Sequence, residues 1–318
     1  MALMSLEQEI KDKSLQLGFD AAGITDASPI DPAQAGHIHA WLDSGFAGQM
    51  QYMGRHIEKR THPGELLAGA QSVVVVALNY RPPDGSAQDD APAGPCGRVA
   101  QYACYEDYHD FMKPLLHELA AFLRERTDGT ARFKVCVDSV PLAERALAVR
   151  AGLGFIGKNH MLIHPTLGPQ ILLGELITTV KLAADEPSVG TCVTCDRCLR
   201  ACPTGALRAD GQFDASRCIS YLTIEHKDTI SPELAAKIGD RLFGCDECVL
   251  ACPYRHAAPP CANARFEFHP DRARLDLQRV LEMTPESFEA EFANSPLARL
   301  GLEGLQRNAR ICRENLSH

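Results

Sequence analysis

Eight cysteines fall in one short stretch, and their spacing is the strongest chemical signal in the chain. Cys192, Cys195, Cys198 and Cys202, followed by Pro203, read C-x2-C-x2-C-x3-C-P. Bacterial ferredoxins use this spacing to hold 4Fe–4S cubanes: three close thiolates take one cluster and the fourth ligates the other. A second run, Cys245, Cys248, Cys252 and Pro253, lacks its leading member, because Leu242 stands there. Cys218 is the only other cysteine between the runs and is expected to replace it. Two cubanes need eight thiolates, and residues 191–260 contain eight cysteines. Cluster one is therefore expected on Cys192, Cys195, Cys198 and Cys252, and cluster two on Cys202, Cys218, Cys245 and Cys248. Zinc also favours four thiolates, but the C-x3-C-P endings of both runs are foreign to zinc motifs. Of the other five cysteines, Cys136 reads as core, Cys96, Cys261 and Cys312 give no signal, and Cys104 is taken up below.

Electron transfer to an organic substrate would also call for a proton donor. Asp138 ends a strand just before a helix expected to open at Pro141. It could cap that helix, but Ser139 can do so equally well. A carboxyl freed in this way and facing a pocket could have its pKa raised by burial and act as a general acid, with Glu144 and Arg145 to orient it. Gly152-Leu-Gly-Phe-Ile-Gly157 matches G-x-G-x-x-G, yet a helix precedes it and a strand follows, the reverse of a dinucleotide fingerprint. Read as a P-loop it also fails, since Asn159 replaces the Ser or Thr that holds Mg²⁺. What remains is a tight turn with exposed backbone N–H groups and Lys158. Asp107-Tyr108-His109 comes close to the Asp-x-His-x-x-Gly of histidine-ligated cobalamin proteins, but Met112 occupies the glycine position.

These residues need a scaffold. Leu6 to Leu17 reads as an amphipathic helix with Leu6, Ile10, Leu15 and Leu17 inward. Val73 to Leu78 is a buried strand, Pro82 to Gly97 a surface loop, and Phe111 to Arg126 a helix. Phe133 to Val137 is a second strand, and Pro141 to Arg150 a helix stopped at Gly152. Phe155 to Ile163 and Gln170 to Val180 look like paired strands around a turn at Pro165 to Gly168. Beyond Pro270 the pattern is helical and richer in Arg. The expected domains are 1–185, mixed α/β; 186–262, a ferredoxin-type two-cluster unit; and 263–318, a C-terminal helical segment.

Composition sets the outer limits. The chain has 318 residues, 45% hydrophobic and 23% charged, with a net charge of −9. That suits two or three folded domains. Such a surface repels nucleic acid in general, so an RNA partner requires a local basic patch. Arg299, Arg307, Arg310 and Arg313 offer one, and Arg55, His56, Lys59 and Arg60 another. No run is long enough to span a membrane, and the N-terminus lacks a secretory core. The expected location is the cytoplasm, where thiols stay reduced and thirteen cysteines point to metal rather than disulfides.

In combination the motifs resemble one family, the epoxyqueuosine reductases of queuosine tRNA modification. The resemblance is carried by Asp138-Ser-Val-Pro-Leu-Ala-Glu-Arg-Ala, Gly152-Leu-Gly-Phe-Ile-Gly-Lys-Asn159, Cys-Pro-Thr-Gly-Ala after Cys198, and Arg217-Cys-Ile-Ser-Tyr-Leu-Thr-Ile-Glu225. Gly244-Cys-Asp-Glu-Cys, Cys252-Pro-Tyr, Trp41-Leu42, Met50-x-Tyr52-Met53 and Tyr102-Ala with Asp107-Tyr-His109 add to it. It implies a nitroreductase-like α/β (α+β) domain binding cobalamin base-off, then the ferredoxin-like di-cluster domain and a truncated helical repeat. It implies electron flow from an external donor of flavodoxin or ferredoxin type through the clusters to cobalamin. The epoxide oxygen would then leave the tRNA wobble base, with Asp138 as proton donor. Arg60, Cys104, Asp138, Lys158, Asn159, Ser220 and Thr223 are the implied cofactor contacts, and a monomer is expected. Two other readings remain: a cobalamin-dependent reductive dehalogenase, and an electron carrier with no substrate of its own, against which the long leading domain argues.

Overall fold

The computed structural model describes residues 4–85 and 94–317. Its centre is the strand β2 (Ser72–Asn79), whose run of Val and Ala is wholly buried. A strand apolar on both faces must be covered on both. β2 pairs antiparallel with β1 (Ala21–Asp26) on one side and β7 (Ile171–Thr178) on the other. β4 (Phe133–Cys136) closes the sheet, in the order β1-β2-β7-β4. Alternate residues then divide between two cores. Val74, Val76 and Leu78 pack with residues of the helices Leu6–Leu17 and Tyr108–Glu125. Val73, Val75 and Ala77 pack with Leu147 and Ala148 of the helix Glu144–Arg150.

A second sheet joins distant parts of the chain. β3 (Cys96–Val99) lies between β8 (Arg241–Phe243) and β9 (Arg274–Asp276). The C-terminal helix Gly301–Leu316 turns Leu305, Asn308, Ala309 and Cys312 inward at helical spacing. Asn308 is fully buried and donates to the carbonyls of Thr223 (2.8 Å) and Leu242 (2.9 Å), which fastens this helix to the cysteine-rich segment. Among the described residues no helix is long and apolar enough to cross a membrane.

Several elements differ from expectation. Leu15 is 51% exposed, and Ser14 takes the inward place, its hydroxyl bonded to the Ile10 carbonyl. The expected loop at Pro82 to Gly97 ends in strand β3, while residues 86–93 lie outside the described ones. The helix expected from Pro141 starts at Glu144, because the Ala143 N–H is committed to the Arg60 carbonyl. Phe155 to Ile163 does not pair with Gln170 to Val180. β5 (Phe155–Ile156) pairs with β6 (Leu162–Ile163) in a small hairpin, and β7, being apolar on both faces, is drawn between β2 and β4. The C-terminal segment includes strand β9 as well as helices.

Candidate active site

Asp138 stands just past β4 in a left-handed conformation (φ 50°), which sets its side chain off the strand direction. Asp tolerates this region better than most residues. Its backbone N–H donates to the Glu144 carboxylate at 2.8 Å, so the first residue of the following helix fixes the turn. Tyr108 and His109 open the helix Tyr108–Glu125, which Asp107 caps by accepting the His109 N–H at 2.8 Å. From there the Tyr108 hydroxyl donates to Asp138 Oδ2 at 2.8 Å. His109 Nδ1 lies 2.8 Å from Asp107 Oδ1, and its Nε2 lies 3.8 Å from Asp138 Oδ2. The two carboxylates thus bracket one imidazole. The Asp138 side chain is still 51% exposed, so it faces an opening.

The electrostatics reverse one expectation. Asp138 does not have a raised pKa. The interaction with His109 and the Tyr108 hydrogen bond outweigh burial and hold its carboxyl below the ordinary value. Burial alone would lower His109, but Asp107 and Asp138 outweigh it and push the imidazole up to about 9. At neutral pH the proton therefore sits on His109. Behind them, burial and then the Asp138 charge raise Glu144 to about 7. Glu175 on β7 is fully buried, and neither of its carboxylate oxygens has a hydrogen-bond partner. Burial and the carboxyls of Glu144 and Asp138 raise its pKa well above the ordinary value.

Two cations from opposite ends of the chain reach this opening. Arg60 is anchored by its Nε to the Met53 carbonyl at 3.3 Å, and Arg299 pairs with Glu225 at 2.6 Å. The Arg299 charge bears on Asp138, and both arginines bear on Tyr52, so the two basic patches seen in sequence converge here. Arg307 does not share that exposed role. Its guanidinium donates to the Leu222 carbonyl at 2.9 Å and to the side chain of Asn308.

The eight thiols form two groups. Cys192, Cys195, Cys198 and Cys252 surround a cavity of about 140 Å³. Cys202, Cys218 and Cys245 are neighbours of Cys248, whose thiol is pushed well above its ordinary value by burial and then by these thiols. Each group takes members from both runs. Thiols spread around a cavity suit a multi-atom cube better than one zinc ion, whose sulfurs would lie roughly 3.8 Å apart. The short helices Arg197–Ala201 and Glu247–Leu250 carry the middle of each run. Lys158 and Asn159 tie the glycine-rich turn to both. The Lys158 N–H points to Cys192 Sγ at 3.4 Å and its Nζ donates to the Cys195 carbonyl at 2.8 Å, while Asn159 donates to the Cys248 carbonyl at 3.4 Å.

Between the second group and Asp138 stands an aromatic wall. Tyr102 meets Tyr108 edge-on at 6.4 Å and Phe243 at 6.3 Å. Nearby, the fully buried Gln170 bonds Gln101 and leaves its Oε1 without a partner. Aromatic faces with an unpaired amide acceptor fit a flat, amide-bearing cofactor such as cobalamin. Arg60 and Ser220 are half-buried at the edges of this region. Cys104 is 1% exposed with its thiol turned toward the Ala100 carbonyl. Thr223 is fully buried, donating to the Ile219 carbonyl and accepting from the Gly244 N–H.

Comparison with known proteins decides the family. The family model described as "Epoxyqueuosine reductase QueG, DUF1730" matches residues 60–139, and that of a "4Fe-4S double cluster binding domain" matches residues 191–255, a span containing all eight cysteines. An epoxyqueuosine reductase of Vibrio cholerae is 35% identical over 317 residues, 99% of this chain and 85% of that protein. One from Cyclobacterium marinum is 38% identical over 311 residues, 98% of this chain and 97% of that protein. This chain belongs to the epoxyqueuosine reductase family. The solved epoxyqueuosine reductase of Streptococcus thermophilus superposes with a TM-score of 0.90 at 31% identity, covering 99% of this chain and 82% of that one. Another epoxyqueuosine reductase, solved with an epoxyqueuosine-modified stem loop of tyrosine tRNA, gives 0.89 at 33% identity, covering 98% and 81%.

Sequence reasoning named Asp138 and all eight thiols. It missed Glu175 and left His109 without a role. Glu175 carried one available signal, a lone acid inside an apolar strand pattern. His109 stood in a motif that the sequence singled out, but its partnership with Asp138 was not legible, because only tertiary packing carries its helix there.

Proposed function

We propose that this chain reduces epoxyqueuosine in tRNA. The epoxide accepts two electrons and two protons and leaves an alkene and water. The carrying observation is the Asp138 carboxylate held by Tyr108 at 2.8 Å with His109 3.8 Å away, beside eight thiols in two groups in a chain of this family. Cys192, Cys195, Cys198 and Cys252 would hold one 4Fe–4S cluster, and Cys202, Cys218, Cys245 and Cys248 the other. Arg60 and Ser220 would hold the edge of cobalamin, with Cys104 and Thr223 packed behind and Lys158 and Asn159 bracing the loops. When bound, these groups supply single electrons and a strongly reducing metal centre.

The chain's own residues supply protons and position. His109 stores a proton on Nε2 and passes it through Asp138 Oδ2 to the departing oxygen. Tyr108 fixes Oδ2, Asp107 holds the imidazole, and Glu144 holds the Asp138 backbone. Arg60 and Arg299 meet RNA phosphates at the opening. The partners are tRNA and an external one-electron donor, the setting is the cytoplasm, and the enzyme acts as a monomer. A crystal form of the Bacillus subtilis relative with its catalytic aspartate loop swung out of the active site supports placing the acid on a loop.

The test is anaerobic incubation of iron- and cobalamin-replete protein with dithionite and an epoxyqueuosine-bearing tRNA stem loop. Mass analysis of the released nucleosides is expected to show the loss of one oxygen atom. Unchanged nucleoside in the presence of both cofactors overturns the proposal.

A further inference from the structure

Large apolar side chains are normally exposed singly, yet two meet at the mouth of the first thiol group. Val193 is 72% exposed and Tyr254 36%. Val193 and Tyr254, with Thr191, line the cavity that Cys192, Cys195, Cys198 and Cys252 surround. Val193 is also strained. Its φ is 44°, and a β-branched residue in the left-handed region is a genuine outlier. The strain is held in place. Lys158 Nζ donates to the carbonyls of Val193 at 3.2 Å and Cys195 at 2.8 Å. Gly190 lies flat on Phe155, where a Cβ would come within 2.3 Å of the ring, and Phe155 meets Tyr254 edge-on at 5.6 Å. The result is a preformed apolar lip, not a slack loop.

Its rim carries free cations although the chain carries −9 overall. Lys158 and Arg197 are exposed beside it and form no ion pair among the described residues. Asp196 is neutralised by Arg200 at 2.5 Å. Another cavity, beside Cys245 of the second group, contrasts with this one. Of the arginines lining it, Arg98 and Arg241 are paired with Asp240 and Glu247, which leaves Arg274 as the one without an ion-pair partner among the described residues.

We propose that the lip formed by Val193 and Tyr254, with its rim of Lys158 and Arg197, is the docking surface for a small acidic one-electron carrier protein. This rests on the reading of the first thiol group as a cluster site and deepens it by naming where electrons enter. Each encounter transfers one electron from the reduced carrier to the chain's iron–sulfur centre; no bond forms or breaks. An apolar centre within a charged rim suits transient redox encounters, which sit at the small end of interface sizes. The complementary charge speeds the encounter and makes it salt-sensitive.

The probe is a flavodoxin, a small acidic FMN protein. Binding of labelled oxidised flavodoxin to reconstituted protein is followed by anisotropy at about 50 mM and 200 mM salt, where screening differs strongly. Reduction of the clusters by reduced flavodoxin and by dithionite is followed by absorbance. Arg197→Glu inverts the charge of the rim, and Arg200→Glu strips Asp196 of its partner and adds a second acid beside it. Each is expected to weaken flavodoxin binding and slow its electron transfer about tenfold, with reduction by dithionite unchanged. Unchanged binding in both variants overturns the proposal, as does weakening only when Arg98 and Arg274 beside the other cavity are replaced. The iron content and dithionite reduction of the unaltered protein report on the cluster reading separately.

Discussion

At Asp138 two effects of opposite sign compete. Burial favours the neutral carboxyl, while His109 and Tyr108 favour the ionised one, and the latter win. The pair then holds its proton on the imidazole until the pH passes about 9. Turnover should accordingly be sustained below that value and fall as pH rises through it. In His109→Asn the proton must reside on Asp138 itself, whose pKa lies far lower. The alkaline limb of the kcat profile should move to lower pH, and an unmoved limb would remove His109 from the proton inventory. Asp138→Asn keeps the side-chain volume but cannot deliver a proton. It should bind cobalamin normally and lose about 10²–10⁴-fold in single-turnover rate; undiminished turnover would exclude the carboxyl. Asp138 was legible in sequence because a strand end before a helix is a local pattern. The direction of its pKa was not, because that depends on a histidine 29 residues earlier in the chain.

The elements show the same division. β2 and the helices were readable, since apolar spacing along one segment reports its own burial. β3 and β9 were not: each is short, and their pairing joins residues about 180 positions apart. The crossing of β7 to the centre of the first sheet was hidden for the same reason. The C-terminal helix was legible as a helix, but its role was not. Arg307 looked like an RNA contact and instead bonds the backbone beneath it. Asn308 closes two buried carbonyls. Asn308→Ala should cost roughly 1–3 kcal/mol for each group left unpaired. It should lower the melting temperature and loosen the segment that carries Cys218 and Cys245. Retention of full stability would mean that water or backbone shifts satisfy those carbonyls.

For the whole molecule the problem is binding RNA with a net charge of −9. The fold solves it locally, bringing Arg60 and Arg299 to the opening at Asp138, with Arg55 and Lys59 exposed on the same segment as Arg60. Affinity for tRNA should fall with salt at a slope of roughly −0.7 to −0.9 per phosphate contacted. Arg55→Glu and Lys59→Glu should each weaken binding several-fold and reduce that slope by about one; slopes identical to the unaltered protein would place the RNA elsewhere.

The account depends most on thiols from two separate runs sharing two sites. The decisive measurement is iron and sulfide per chain in anaerobically purified protein, with EPR of the dithionite-reduced sample. About eight irons and eight sulfides per chain, with spectra of 4Fe–4S centres, are predicted. Zinc in their place, or iron enough for one cluster only, would contradict it.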